Sequence, residues 1–232
     1  MEKQKYAAIV LAAGSGKRMN SKVHKQYLII QDRPVLYYSL KAFEDSAVDE
    51  IVLVVGKGEE EFCRKEIVDK YGISKVKAIV EGGKERYHSV FEGLKQTSDA
   101  DYVLIHDGAR PFVNQDIIRR CMQDVQKYQA CVVGMPVKDT IKIADEEGYA
   151  KQTPDRKNVW MIQTPQTFSY TLIYEAYEEM LKTEDTAITD DAMVLERIKG
   201  KKSKLIEGSY RNIKITTPED LLIANVYLQH PE

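Results

Sequence analysis

The chain alternates between short apolar runs and longer amphipathic segments. Five runs rich in β-branched residues predict strands at 6–13, 50–56, 75–83, 101–107 and 130–137. These runs are almost continuously apolar, which is typical of parallel strands covered by helices on both faces. The amphipathic segments between them predict helices at 35–45, 59–72, 86–96 and 114–128. This order predicts an α/β fold with a doubly wound, mostly parallel sheet, a Rossmann-like frame in a single domain over residues 1–232.

One region departs from this rhythm. Polar and apolar side chains alternate along residues 139–156, and Glu146-Glu147-Gly148 supplies a turn, so the pattern predicts an inserted β-hairpin. We call it the arm, about 138–158. A two-stranded hairpin is only marginally stable alone in water, so its apolar face needs a covering surface. The pattern leaves open whether that surface belongs to the same chain or to a neighbouring subunit.

The last third of the chain predicts further helices near 170–182 and 189–199, a strand at 211–216 and a final helix. For the helix near 189–199, Thr189 is the predicted cap, with two acidic residues in the first turn. For the final helix, Thr217 is the predicted N-cap and Pro218 the first helical residue.

Composition narrows the class of protein. The formal net charge of −2 provides no global field that would attract nucleic acid or an anionic membrane surface. The three cysteines have no paired spacing, which favours reduced thiols over disulfides or a zinc site. The chain has neither a signal-peptide pattern nor an apolar run of about eighteen residues. We therefore expect a soluble, cytoplasmic protein.

The first predicted strand leads into a glycine-rich turn, `AAGSGKRM`, at residues 12–19. Such turns bind phosphates through free backbone N–H groups. A P-loop would need glycine in place of Leu11 and serine or threonine in place of Arg18, and a dinucleotide fingerprint would need a small residue in place of Met19. The glycines alone favour an ordinary turn, but together with Arg18 and Lys25 they provide enough donors for a triphosphate.

Two more segments follow predicted strands. In `HDGARPF`, 106–112, Asp107 and Arg110 lie where open α/β sheets bind ligands, although the two side chains could instead pair with each other. His106 is assigned to the strand, because no serine or cysteine motif accompanies it.

The second segment, `EGGKERYHSV`, has Gly82 and Gly83, which permit close approach of another chain or a flat ring. Arg86 and Ser89 then share one helical face, and capping with surface charge is the alternative explanation. Further along, Lys214 interrupts an apolar pattern, so it is either solvated at a sheet edge or committed to a ligand.

Eight motifs in order carry a resemblance to a known family: `AAGSGKRM`, `HKQYL`, `GGKERYHSV`, `HDGARPF`, `PVKDTIK`, `QTPQTF`, `ITDDA` and `NIKITTPEDL`. Over about residues 7–228, the chain resembles the 2-C-methyl-D-erythritol 4-phosphate cytidylyltransferases of the non-mevalonate isoprenoid pathway. The resemblance implies transfer of CMP from CTP to methylerythritol phosphate, with release of pyrophosphate. It also implies Mg²⁺ carried mainly by the nucleotide phosphates, with no dedicated protein ligands, and a homodimer that exchanges its arms.

The resemblance further implies roles for individual residues. The resemblance assigns nucleotide binding to Ala12, Ala13, Gly14, Ser15, Gly16, Gly82, Gly83, Arg86, Ser89 and Asp107. Binding of methylerythritol phosphate falls to Arg110, Thr164 and Thr189, and to Thr140, which the arm carries to the partner subunit. Catalysis falls to Arg18, Lys25 and Lys214, and to Arg156 on the same arm. Met193 stands where family members often carry a small residue.

The chemistry agrees with a site built from cations. The nucleophile is a phosphate monoester whose second pKa is about 6, so it is mostly ionised at neutral pH and needs no general base. Holding two anions in line and neutralising their charge is then the main task. A ribitol 5-phosphate cytidylyltransferase is the nearest alternative, because that sister family shares the glycine turn and the `TPQ` and `NIK` motifs. A non-catalytic nucleotide-binding protein is a more remote one.

Replacing either cation that follows the glycine turn tests its catalytic role. We expect Arg18→Ala or Lys25→Ala to lose about 10²–10³ in turnover, by analogy with removal of one transition-state donor. Steady-state release of pyrophosphate measures the effect. Unchanged turnover in either variant would show that the residue concerned is not catalytic.

Overall fold

The computed structural model describes residues 3–14, 24–183 and 187–230. In chain order, its strands are β1 (Tyr6–Ala12), β2 (Ile29–Ile30), β3 (Arg33–Pro34), β4 (Glu50–Val55), β5 (Val76–Glu81), β6 (Tyr102–Asp107), β7 (Ala130–Pro136), β8 (Ile143–Ala144), β9 (Ala150–Gln152), β10 (Trp160–Ser169) and β11 (Lys204–Glu207). Its α-helices are α1 (Val35–Glu44), α2 (Glu60–Cys63), α3 (Arg86–Leu94), α4 (Gln115–Tyr128), α5 (Tyr170–Met180), α6 (Asp191–Lys199) and α7 (Pro218–Gln229). The chain continues from α2 as a π-helical segment, Arg64–Asp69. Within the described residues, no helix has both the length and the apolar character needed to cross a membrane.

Seven strands form the central sheet, in the order β11-β7-β10-β6-β1-β4-β5. All five strands predicted from the apolar runs are present. β6, β1, β4 and β5 are mutually parallel, and β11 is parallel to β7. β10 runs antiparallel between β6 and β7. The predicted mostly parallel α/β fold is therefore confirmed, and the antiparallel β10 is an addition that the strand pattern did not predict.

Side chains on the two faces of the sheet enter separate apolar layers. From β1, Ala8 and Val10 join a layer with α1 and α4, whereas Ala7 and Ile9 join a layer with α3, α5 and α6. All four side chains are fully buried. Burial on both faces explains why β1 appears in the sequence as a continuous apolar run instead of an alternating one.

The strand predicted at 211–216 is wrong. Residues 212–216 form no strand, and the backbone N–H of Ile215 instead donates to the carbonyl of Ala109 at 2.8 Å. Ile215 is fully buried with Ala224 of α7 in a third apolar cluster. The alternating pattern thus reflects a buried loop beneath α7, because a loop side chain packed on a helix produces the same apolar signal as a strand.

Helix starts were predicted with mixed success. α7 begins as expected, with a capping box in which Thr217 and Asp220 each bond the other's backbone N–H. α6 begins one residue later than predicted, because the Asp190 side chain accepts from the N–H of Met193 at 2.9 Å. Thr189 as the cap of α6 is therefore wrong. Its amide and hydroxyl instead lie 3.5 and 3.6 Å from the Met193 sulfur.

The arm contains the predicted hairpin, but the hairpin is short. β8 and β9 pair antiparallel as a separate two-stranded sheet. At the base of the arm, the Arg156 guanidinium donates to the carbonyl of Lys138 at 2.8 Å, and the Lys138 ammonium lies 3.6 Å from the centre of the Tyr210 ring. Ile143 and Tyr149 are 45% and 74% exposed. The apolar side chains of the arm therefore have little cover from their own chain.

Candidate active site

A cleft of about 380 Å³ lies at the carboxyl ends of β1 and β6. Parallel sheets bind ligands at this edge, where loops and helix N-termini converge. Nine residues with sequence-predicted roles line it: Ala12, Ala13, Gly14, Lys25, Gly83, Arg86, Ser89, Asp107 and Lys214. Five others complete the lining: Leu11, Gln26, Lys84, Glu85 and Ala109. Segments distant in sequence thus meet at one edge of the sheet.

Close packing of the chain joins the glycine turn to α3. A Cβ at Gly82 would lie 2.6 Å from the Cβ of Ala13 and 2.7 Å from the hydroxyl of Ser89. The N–H of Gly83 donates to that hydroxyl at 3.1 Å. The predicted close approach at Gly82 is therefore made by the protein's own chain, and it places Ala13 and Ser89 on adjoining walls of the cleft.

Asp107, the last residue of β6, is the electrostatic centre of the cleft. Its carboxylate lies 2.8 Å from the Lys214 ammonium and 3.3 Å from the Arg86 Nε. The Nε of Arg110 lies 3.6 Å away. Burial acts to raise the pKa of the Asp107 carboxyl, but these three positive charges outweigh it and hold that pKa well below its usual range. Asp107 is therefore ionised at neutral pH.

Lys214 reaches Asp107 because the loop that carries it is anchored on both sides. The side-chain amide of Asn212, fully buried, donates to the carbonyl of Thr164 in β10 at 2.9 Å. On the other side, the N–H of Ile215 donates to Ala109. The sequence left Lys214 as either solvated or committed to a ligand, and in this structure it pairs with Asp107.

An ion pair with the fully buried Asp191 fixes the half-buried Arg86. Its two terminal nitrogens donate to both carboxylate oxygens of Asp191, at 2.7 and 2.8 Å, and Asp191 also accepts from the Tyr177 hydroxyl at 2.6 Å. Burial acts to lower the pKa of the Arg86 guanidinium, but Asp191 and Asp107 raise it well above its usual value. Arg86 is therefore a permanent cation whose terminal nitrogens are already paired.

Sequence reasoning missed Asp191 and Gln166. The Gln166 carbonyl oxygen accepts from the N–H groups of Asp191 and Ala192 at 3.0 and 2.9 Å, and its amide donates to Asp190 at 2.9 Å. This side chain of β10 thus holds the N-terminus of α6. The motif `ITDDA` indicated capping, which Asp190 performs, but the sequence offered no sign that its second acid pairs with Arg86.

A hydrogen-bonded chain behind the cleft fixes the state of His106. Its Nε2 lies 3.1 Å from the Arg110 carbonyl, which can only accept, so Nε2 carries the proton. Its Nδ1 then accepts from the Thr164 hydroxyl at 3.0 Å. The same hydroxyl accepts from the N–H of Asp107 at 3.1 Å. Burial lowers the pKa of His106 to about 4. The ring is therefore neutral, and it holds the Asp107 loop in place.

Comparison with known proteins identifies the family. The family model described as IspD, 2-C-methyl-D-erythritol 4-phosphate cytidylyltransferase, matches residues 6–230. Proteins of that name from Lachnospira eligens and Lachnoclostridium phytofermentans are 54% and 50% identical, over 96% and 97% of this chain and 98% and 97% of theirs. The crystal structure of 4-diphosphocytidyl-2C-methyl-D-erythritol synthase from Anaerococcus prevotii is 38% identical, with a TM-score of 0.86 over 98% of this chain and 97% of that chain. The chain belongs to the 2-C-methyl-D-erythritol 4-phosphate cytidylyltransferase family.

The other predicted site residues that the structure describes do not line the cleft. Arg110 and Thr164 lie behind it. The Arg110 carbonyl bonds His106 and its guanidinium lies beside the Asp107 carboxylate, and the Thr164 hydroxyl accepts from the N–H of Asp107. Thr140, Arg156 and Thr189 do not line the cleft of their own chain. Ser15, Gly16 and Arg18 lie outside the described residues. The roles assigned to all of these residues remain predictions.

The carboxylates of the cleft suit a metal ion that arrives with a nucleotide. Among the described residues, no group of three or more His, Cys, Asp or Glu side chains could hold a metal. Asp107 and Glu85 are the described carboxylates that line the cleft. Mg²⁺ commonly binds through one or two carboxylates together with substrate phosphates. Asp107 and Glu85 would therefore be the described side chains available to Mg²⁺ carried mainly by phosphates.

The buried His106 predicts a loss of stability on acidification. Its pKa is lowered from 6.5 in the unfolded chain to about 4. As the pH falls, the unfolded state therefore binds the proton first. The contribution of the neutral His106 to the free energy of unfolding is fully present above pH 6.5 and decreases as the pH falls towards 4. Between pH 7 and 5, this site should remove about 2 kcal/mol from the free energy of unfolding.

Urea unfolding of the wild type and of His106→Gln at both pH values measures this effect. Glutamine preserves a donor for the Arg110 carbonyl but does not titrate. We expect the variant to be less stable at pH 7 and to lose about 2 kcal/mol less than the wild type on acidification. Equal losses in the two proteins would contradict a neutral, buried His106.

Proposed function

We propose that this protein transfers the cytidylyl group of CTP to 2-C-methyl-D-erythritol 4-phosphate and releases pyrophosphate. The observation that carries the proposal is that residues 12–14, Lys25, Arg86 and Lys214 line one cleft together with Asp107. The family to which the chain belongs performs this chemistry, as its name states. A site of this kind suits two phosphorylated ligands, because its charged groups come from separate walls.

The reaction needs positioning and charge neutralisation more than proton transfer. An oxygen of the substrate phosphate attacks the α-phosphorus of CTP, and the bond from that phosphorus to the bridging oxygen breaks as pyrophosphate leaves. The attacking oxygen is mostly ionised at neutral pH, since the second pKa of a phosphate monoester is about 6. His106 is buried and neutral, with both ring nitrogens hydrogen-bonded, which argues against a role as base. Fixed cations that neutralise the reacting phosphates supply the catalysis.

The contacts of each cation suggest a division of labour. Arg86 remains bound to Asp191 and keeps the Asp107 carboxylate in place. Lys214 pairs with Asp107 and is partly exposed, so it can exchange part of that contact for a substrate phosphate. Lys25 lines the same cleft as Ala12, Ala13 and Gly14, so it can contact the triphosphate. Mg²⁺ bound with the nucleotide would neutralise phosphate charge that these side chains do not cover.

The choice of alcohol substrate tests the assignment directly. We expect pyrophosphate release with CTP and Mg²⁺ to be much faster with methylerythritol phosphate than with ribitol 5-phosphate at equal concentration. The physical reason is that transition-state contacts to the correct alcohol raise kcat/KM selectively. Faster turnover of the ribitol ester would favour the sister activity, and CTP binding without turnover of either ester would favour a nucleotide-binding protein.

We further propose a homodimer in which each arm reaches the cleft of the partner subunit. The exposed apolar side chains Ile143 and Tyr149 support this, because a short hairpin without cover is unstable in water. Thr140 and Arg156 lie on the arm and outside the cleft of their own chain. Across a two-fold interface, they would complete the substrate pocket of the other subunit.

Mixing two inactive variants tests the shared site. Arg156→Ala and Lys214→Ala homodimers should each lose most of their turnover. After unfolding and refolding together, half of the dimers combine one subunit of each kind, and each such dimer regains one intact site. We expect about a quarter of the wild-type turnover in the mixture. No recovery, or full activity in a monomer by size-exclusion chromatography, would contradict arm exchange.

A further inference from the structure

The short segment 24–28 carries Lys25 into the cleft and is anchored from two sides. From one side, the buried Gln26 side chain donates to the carbonyl of Ala12 at the end of β1. From the other side, the Tyr27 hydroxyl donates to the Glu59 carboxylate at 2.7 Å. The Gln26 anchor belongs to the cleft lining, whereas Tyr27 and Glu59 lie outside it.

Glu59 is the centre of the outer anchor. It lies between β4 and α2, and its Oε2 accepts from the N–H of Gly56 at 3.0 Å as well as from Tyr27. Its other oxygen, Oε1, lies 2.7 Å from the Nδ1 of His24. A Cβ at Gly56 would lie 2.7 Å from Oε2, so the missing side chain there admits the carboxylate. One carboxylate therefore contacts residues on both sides of Lys25.

The Tyr27 side chain is suited to hold a fixed position. Its ring packs edge-on against Phe62, with the centroids 5.1 Å apart. The pKa of the Tyr27 hydroxyl is raised far above its usual value, mainly by burial and to a smaller extent by the neighbouring Cys63 and Glu59. The hydroxyl therefore keeps its proton and donates. The charge of the acceptor strengthens this hydrogen bond relative to a neutral pair.

We propose that Glu59 is a positioning residue for the transfer reaction, because its bonds to Tyr27 and its contact with His24 fix the backbone that presents Lys25 to the nucleotide phosphates. The inference rests on the proposed function, because only that function gives Lys25 a nucleotide phosphate to contact. The Glu59 side chain contacts Gly56, His24 and Tyr27, which lie outside the cleft lining. Its effect is geometric: misplacing a reacting group by about 1 Å is enough to cost about 10²-fold in rate.

A double-mutant cycle separates positioning from a general structural effect. The variants are Glu59→Ala, Lys25→Ala and both together, with Glu61→Gln as the matched control, because Glu61 is an exposed acid on α2 that pairs with the exposed Lys65. We expect Glu59→Ala to lower kcat about tenfold in the wild-type background and to have no further effect once Lys25 is removed. Glu61→Gln should leave kcat unchanged. Equal losses in both backgrounds would overturn the proposal.

Tyr27→Phe provides a milder variant that keeps the ring packing and removes only the hydroxyl. It should lower kcat in the same direction as Glu59→Ala, and it decides the question if Glu59→Ala fails to fold. An unchanged kcat in Tyr27→Phe, together with an unchanged kcat in a folded Glu59→Ala protein, would refute a positioning role.

Hydrogen exchange provides a readout that does not depend on turnover. In Glu59→Ala, the amides of Tyr27 and Leu28, which bond the carbonyls of His24 and Lys25, should exchange at least about tenfold faster, whereas those of β6 should not change. Unchanged exchange in the segment would overturn the inference. Failure of the wild type to turn over methylerythritol phosphate would refute the proposed function separately, because the exchange result stands without it.

Discussion

An ionised carboxylate at the end of a buried strand must be compensated by positive charge, because an unpaired buried charge costs several kcal/mol. Asp107 occupies this position at the end of β6, and the groups that compensate it come from three separate segments: Arg86, Arg110 and Lys214. Much of the surrounding structure serves to bring these cations to one point. Asp191 and Tyr177 hold Arg86, and Asn212 holds the loop that carries Lys214.

This arrangement also gives the cleft its chemical character. Three cations around one carboxylate leave a local excess of positive charge in a chain whose overall charge is −2. This excess lies at the edge of the sheet where β1 and β6 end, so it favours phosphates there. His106 adds no charge to this group, because burial lowers its pKa to about 4 and keeps the ring neutral.

The antiparallel strand β10 links the cleft to the surrounding elements. Thr164 fixes His106 and the Asp107 backbone, and Gln166 holds the start of α6. The same strand begins beside the arm at Trp160. β10 therefore connects the arm to residues that lie directly behind the cleft.

The sequence by itself determined the parallel frame of the protein. Continuous apolar runs such as that of β1 require burial on both faces, and few folds other than a sheet covered by helices provide it. The glycine turn and Asp107 were candidate site residues because they follow strands, and the carboxyl ends of parallel strands meet at one edge. The role of Arg86 came from the family resemblance. The family resemblance supplied the substrate.

Only the tertiary structure decided how the charges are paired. The alternation around Lys214 indicated a strand, but it arises from Ile215 packing beneath α7. Asp191 is separated from Arg86 by more than a hundred residues, and the local pattern of `ITDDA` fits capping equally well. Hydrophobic periodicity depends on neighbours along the chain, so it predicts which face of an element is buried. Pairing of buried charges depends on neighbours in space, and it is fixed only when the separate segments pack together.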